Sequence, residues 1–343
     1  MEIEISDLDQ ETLKKAKKRV NNLIKPKGSL GKLEDIYVQL AGIFGEVYPK
    51  INKKSIIVSV ADHGIVEEKV ATSTKEITLF QANNMTKGIT GVCALAHQSN
   101  SNVIVVDVGI NNEVDNKKII DRKIKYGTNN FLKQRAMSKA EATKSIEVGI
   151  EMAKREIDKG VNLIGTGEMG IGNTTPSSAI VSTICKKDPI EVTGIGANLP
   201  KDKVKHKADV IKRALEFHKP NRKDGIDILS KVGGLEIGSM AGVMLGAASK
   251  KVPVVVDGFI SSAAALIAYT INENVVKYMI PSHKSNVKGS IIASEFLGLK
   301  PSLDLNLRLG EGTGCALMFN IIEAATYMNK DMITFDKAGF KVK

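Results

Sequence analysis

Short β-branched runs recur along the chain with stretches of helical periodicity between them, and this alternation leaves few architectures open. The runs cover residues 55–60, 102–108, 161–165 and 252–256, and the helical patterns between them include 77–97, 139–159 and 241–249. Near-continuous apolar strands joined by helices suit a mainly parallel sheet with both faces covered, so an α/β fold is expected. Aromatic residues make up only 4% of the chain and Trp is absent. The core must therefore rest on Ile, Val, Leu, Ala and Met. Several runs end in small or acidic clusters: Ala61-Asp62-His63-Gly64, Asp107-Val108-Gly109, Gly165-Thr166-Gly167-Glu168 and Asp257-Gly258-Phe259. Open α/β sheets bind ligands outside the carboxyl ends of their strands, so these clusters point to one place.

The ends of the chain read differently. Residues 7–24 place Leu8, Leu13, Ala16, Val20, Leu23 and Ile24 at helical spacing on a charged background. Pro26 and Gly28 break that pattern, a second helix is expected over 33–44, and a third over 313–329. These pieces could pack together as a small helical subdomain. A chain of 343 residues is long enough for one large domain with such an attachment.

Some function classes fit poorly. The formal charge of +11 comes from lysines scattered along the chain, without the basic stripe and aromatic platform that nucleic-acid binding needs. The surplus can help attract anionic phosphates. The most apolar stretch, 252–270, is broken by Asp257 and Gly258, which suits strand, turn and helix better than a membrane span. Cys93, Cys185 and Cys315 lie far apart, and the acidic N-terminus lacks the order of a secretion signal. A cytoplasmic protein is expected. The histidines show no metal-ligand spacing and no G-x-S-x-G elbow exists, so neither a metal site nor an α/β hydrolase is expected.

Three glycine-rich segments carry the candidate chemistry. Residues 165–175 follow a strand pattern and precede a helix starting near Pro176, with Thr174 or Thr175 as its cap. Glycines let backbone N–H groups approach an anion, so a phosphate cradle is one reading and a plain turn the other. Glu168 inside the segment favours the first, since a carboxylate has little structural reason to sit among glycines. In Arg308-Leu309-Gly310-Glu311-Gly312-Thr313-Gly314, Glu311 lies between glycines before an apolar helix. It is either an ordinary N-terminal helix charge or a reactive carboxylate open to a ligand. The third segment, 194–200, is followed by Lys201, Lys203, Lys205 and Lys207, which suit phosphate binding or a solvated face. The residues alone reach an α/β enzyme for a phosphate-bearing small molecule.

In order, these segments resemble the nicotinate-nucleotide–dimethylbenzimidazole phosphoribosyltransferases of cobamide synthesis. The likeness runs from Lys25-Pro26-Lys27-Gly28-Ser29-Leu30-Gly31-Lys32-Leu33-Glu34 and Gln81-Ala82-Asn83-Asn84-Met85-Thr86 to Asp224-Gly225-Ile226-Asp227, Lys231-Val232-Gly233-Gly234, Pro281-Ser282-His283 and 308–314. It implies a Rossmann-like domain over 51–304, a small helical domain from 1–50 with 305–343, and a homodimer. It also implies nicotinate mononucleotide and a benzimidazole-type base as substrates, with no cofactor. By position, Glu311 matches the catalytic base, Glu168 a second carboxylate at the reacting centre, and Lys207 an active-site lysine. Ser73, Gln81, Met169 and Leu309 match the base pocket. Gly170, Gly172, Asn173, Thr174, Thr175, Gly196 and Asn198 match the region holding phosphate and ribose. Residues around Ser73, namely Thr72, Thr74 and Phe80, differ from the best-known members, which leaves phenolic and purine acceptors open. A NAD-dependent oxidoreductase is the alternative from another class.

Overall fold

The computed structural model describes residues 1–196 and 199–339. Its centre is a sheet of six strands: β1 (Lys54–Ala61), β2 (Asn102–Gly109), β3 (Ile120–Asp121), β4 (Leu163–Met169), β5 (Val254–Val256) and β6 (Met279–Pro281). The spatial order is β3-β2-β1-β4-β5-β6, and every neighbouring pair is parallel. This is the doubly wound order, whose switch point lies between β1 and β4.

Side-chain alternation explains why the strands read as unbroken apolar runs. In β1, Ile57 points into one core and Ile56, Val58 and Val60 into the other, so all eight residues are buried. The helices Lys139–Asp158, Thr174–Cys185, Leu235–Ser249 and Phe259–Ile271 cover the first face. The second face is covered by Thr313–Asp331, with Cys315, Met318, Phe319 and Ile322 in one core with Ile56, Val58, Leu163 and Val255. The N-terminal helices Gln10–Asn21 and Lys32–Phe44 add Ala16, Val20, Tyr37 and Leu40 to that core.

Some elements depart from the sequence reading. The pattern over 77–97 is two helices, Glu76–Thr86 and Gly91–Gln98, broken where Gly88 takes φ +77°. The strand expected over 161–165 starts two residues later and runs on through Glu168 to Met169. β3 and β6, of two and three residues, are too short for any periodicity to announce them. No described helix is long and apolar enough to cross a membrane.

Candidate active site

The segment 165–175 does two different jobs. Gly165 and Gly167 belong to β4, and a Cβ on Gly165 would lie 2.7 Å from Cys315 Cβ. One on Gly167 would lie 2.4 Å from the Glu311 carbonyl oxygen. Gly165 lets the last helix settle on the strand, and Gly167 admits the turn that carries Glu311. Only from Gly170 onward does the segment become a loop, tied to a neighbouring helix by Ile171 N–H donating to Thr78 Oγ1 at 3.2 Å. The following helix starts at Thr174, with Asn173 in the cap position and no side-chain capping bond. Neither Thr174 nor Thr175 caps it, since both already lie within its first turn.

Asn173 Nδ2 donates to Glu168 Oε2, and the other carboxyl oxygen accepts Glu311 N–H at 3.4 Å. Burial pushes the Glu168 carboxyl up to about 8; Asn173 opposes the shift, while the charges of Glu236 and Asp257 add to it. Thr174 Oγ1 accepts a hydrogen bond from Lys207 Nζ at 2.6 Å. Lys207 is only 1% exposed and has no ion pair among the described residues; burial draws its amine down to about 7. The other three lysines of that run are exposed, so the solvated reading holds for them and fails for Lys207. Gly196, at φ +52°, closes over this end, and a Cβ there would lie 2.8 Å from Thr174 Oγ1. Thr175 Oγ1 is buried with no hydrogen-bond partner among the described residues. Asn198 lies outside the described residues.

Glu311 occupies the opposite end. Its backbone takes φ +63° between Gly310 at +84° and Gly312 at +99°, a left-handed conformation costly for a residue with a Cβ. The helix begins at Thr313 as expected, but the Glu311 carboxylate does not face that helix's N-terminus. Its Oε2 accepts Val92 N–H at 3.1 Å in the first turn of Gly91–Gln98, and its Oε1 accepts Gln81 Nε2 at 2.7 Å. The favourable field comes from a different helix. Leu309, 60% exposed, packs where a Cβ on Gly91 would lie 2.6 Å from its Cδ2. Met169 is half-buried at the end of β4. Ser73 lines a cleft of about 50 Å³ with Gly170, Gly172, Asn173, Thr174, Ile195 and Lys207. Two larger depressions lie on the surface away from these buried charges, one beside Lys139 and Asp224 and one beside Lys123 and Tyr126.

Asp257 is the residue that sequence reasoning left without a role. Its Oδ1 accepts Gly314 N–H at 2.8 Å and its Oδ2 accepts Gly312 N–H at 3.1 Å. It thus takes the N-terminus of the last helix and holds the turn that carries Glu311. Its position at the end of β5, before Gly258, was the available signal. An unsatisfied buried donor costs about 1–3 kcal/mol. Asp257→Asn keeps one acceptor for two donors, so it should lower stability by about that amount and kcat by roughly tenfold or more. A thermal melt and steady-state rates check this; unchanged turnover with lowered stability would leave Asp257 a fold residue only.

Glu168 connects the two ends. A buried cation with a hydroxyl partner lies on one side, through Thr174 and Asn173, and a glycine-flanked carboxylate on the other. The arrangement can hold an anion, face a positive centre and accept a proton, in that order. Among the described residues no group of three or more His, Cys, Asp or Glu side chains is placed to hold a metal ion.

A phosphoribosyltransferase family model matches residues 5–340. A nicotinate-nucleotide–dimethylbenzimidazole phosphoribosyltransferase from Alkaliphilus metalliredigens is 54% identical over 98% of this chain and 97% of its own length. The enzyme of that name from Clostridioides difficile is 53% identical over 97% and 96%. The solved structure of a phosphoribosyltransferase with the same two substrates in its name, from Thermus thermophilus, superposes with a TM-score of 0.93 at 33% identity. It covers 98% of this chain and all of its own.

Proposed function

Because the chain belongs to the nicotinate-nucleotide–dimethylbenzimidazole phosphoribosyltransferase family, we propose that it moves 5-phosphoribosyl from nicotinate mononucleotide to 5,6-dimethylbenzimidazole. The products are nicotinate and the α-riboside phosphate that supplies the lower ligand of cobalamin. The observation that carries this reading within the site is the sequence Lys207, Thr174, Asn173, Glu168, Glu311 along one buried line.

Each part of that line suits one part of the reaction. Lys207 and Thr174, with the loop through Gly170, Gly172 and Thr175 and the turn at Gly196, hold the phosphate and ribose. With them we place Asn198. Nicotinate on ribose is a cationic pyridinium, so it departs neutral and needs no acid. Glu168 faces the positive charge that develops on the ribose. A bound cation supplies the charge that burial denies this carboxyl, and so favours its ionised form. The base attacks from the opposite face through its lone-pair nitrogen, which turns a β-riboside into an α-riboside. Its ring N–H then becomes acidic, and Glu311 removes the proton. Each Glu311 oxygen accepts one hydrogen bond, so lone pairs remain for that proton. Gln81, Leu309 and Met169, with Ser73 towards the nucleotide, form the walls around the base. No cofactor is needed for this chemistry.

The organisation of the chain follows the same reading. Residues 1–50 with 305–343 are assigned to the small helical domain and 51–304 to the catalytic one; the terminal helices share one core, which also takes in the second face of the sheet. A cytoplasmic homodimer is inferred, supported by Phe80, Ile89 and Leu309, all at least 60% exposed beside Gln81, Gly91 and Glu311. Incubation with nicotinate mononucleotide and 5,6-dimethylbenzimidazole should yield the α-riboside phosphate, and Glu168→Gln should form it about tenfold or more slowly. Turnover of phenols or adenine but never benzimidazoles would replace the acceptor. Redox of a nicotinamide cofactor without nicotinate release would replace the reaction.

A further inference from the structure

Beneath the glycine loop lies a pair of ionisable side chains that the mechanism above does not use. His63 follows β1 and Glu236 sits in the first turn of Leu235–Ser249. Both side chains are completely buried, and His63 Nε2 and Glu236 Oε1 are 2.9 Å apart. The remaining polar atom of each, His63 Nδ1 and Glu236 Oε2, has no hydrogen-bond partner among the described residues.

The imidazole is wedged between two glycines. A Cβ on Gly170 would lie 3.1 Å from His63 Nε2 and 2.4 Å from the Ala61 carbonyl oxygen. One on Gly234 would lie 2.6 Å from His63 Cε1 and 2.8 Å from Glu236 Oε2. The loop that leads to Asn173 and Thr174 therefore rests on this ring. Buried ion pairs gain little over apolar side chains of the same volume, so packing alone is a poor reason for the pair. Its place directly beneath the loop that carries Asn173 and Thr174 gives the pair a second role to fill.

We propose that His63 and Glu236 are a positioning pair for the phosphoribosyl transfer: Glu236 holds the imidazole, the imidazole supports the Gly170–Gly172 loop, and the pair shapes the field at Glu168. The groups facing Glu168 are Glu236, Asp257 from the end of β5, Glu311 from the turn before the last helix, and His63 below the loop. Lys207 is linked to it through Thr174 and that residue's chain neighbour Asn173. Removing the Glu236 charge therefore leaves Asp257 as the remaining negative contribution to Glu168's shift.

The test is the kinetics of the full chain with nicotinate mononucleotide and 5,6-dimethylbenzimidazole from about pH 5 to about pH 9, with melting temperatures alongside. Glu236→Gln keeps a hydrogen-bond acceptor for His63. It should lower the kcat plateau about tenfold, keep both KM values within about twofold, and move the acid-side limb to lower pH. His63→Gln, which still reaches towards Glu236, should lower the plateau similarly and carries the test if the first variant does not fold. Parental plateau and limb in both variants would overturn the pair's role. So would a loss of kcat that merely tracks a lowered melting temperature with the limb unmoved. The inference rests on the phosphoribosyl-transfer reading, and the parent separates the two. A parent that makes no α-riboside sinks that reading, whereas an active parent with indifferent variants sinks only the pair.

Discussion

Replacing Glu311 with Gln should lower kcat roughly 10²- to 10⁴-fold, the usual contribution of a positioned general base, while leaving the fold intact. The second half of that expectation follows from the carboxylate's partners. Glu311 accepts Val92 N–H and the Gln81 amide. An amide at position 311 can still accept from Val92, and Gln81 can turn its own amide to accept from the new NH₂ group. The loss is then confined to a carboxylate charge at the terminus of Gly91–Gln98, worth about 0.3–1 kcal/mol. KM for either substrate should move little, because the carboxylate acts on a proton that becomes acidic only as the new bond forms. Parental turnover by Glu311→Gln would remove the general-base assignment. A large rate loss accompanied by a large fall in melting temperature would instead point to the strained turn at φ +63°.

Glu311 also marks what the sequence could and could not reveal. The glycines on either side of it hinted at unusual backbone, and the structure places all three residues at positive φ. That its carboxylate would serve another helix was invisible, because Val92 and Gln81 lie more than two hundred residues away in sequence. The same applies to Asp257 and to His63 with Glu236, whose partners are brought together only by the sheet. Strand alternation was legible because both faces of the sheet are buried, so β1, β2, β4 and β5 each announced themselves. The segment 165–175 stayed open between two readings because a glycine that admits a packed neighbour, as Gly165 and Gly167 do, looks in sequence like a glycine that admits a phosphate. The helix expected over 241–249 begins six residues earlier, and its glycines at 238, 242 and 246 receive the helix Lys139–Asp158 at close range around Gly149.

Lys207 carries the other large effect. Lys207→Met should raise the KM for nicotinate mononucleotide roughly 10- to 150-fold, the equivalent of one charge-assisted hydrogen bond of about 1.5–3 kcal/mol. The same variant should melt a few degrees higher without ligand, because it removes a buried cation that has only a hydroxyl for company. Its pH behaviour follows from the direction of the shift. The amine falls from 10.5 to about 7 on folding, so between those values the unfolded chain binds the extra proton. The cost of burying Lys207 is therefore complete below about 7 and fades as the pH rises towards 10.5. A bound phosphate restores the charge, so above about 7 binding takes up a proton and weakens as the pH rises. Glu168 works in the opposite direction: raised from 4.5 to about 8, it must release a proton when the cationic donor arrives below about 8. Between those two values the uptake and the release offset each other, and donor binding should exchange almost no net proton with the buffer. Calorimetry in two buffers of different ionisation enthalpy reads this directly. Lys207→Met should leave net release and Glu168→Gln net uptake; the same proton count in all three proteins would mean that neither residue meets the donor.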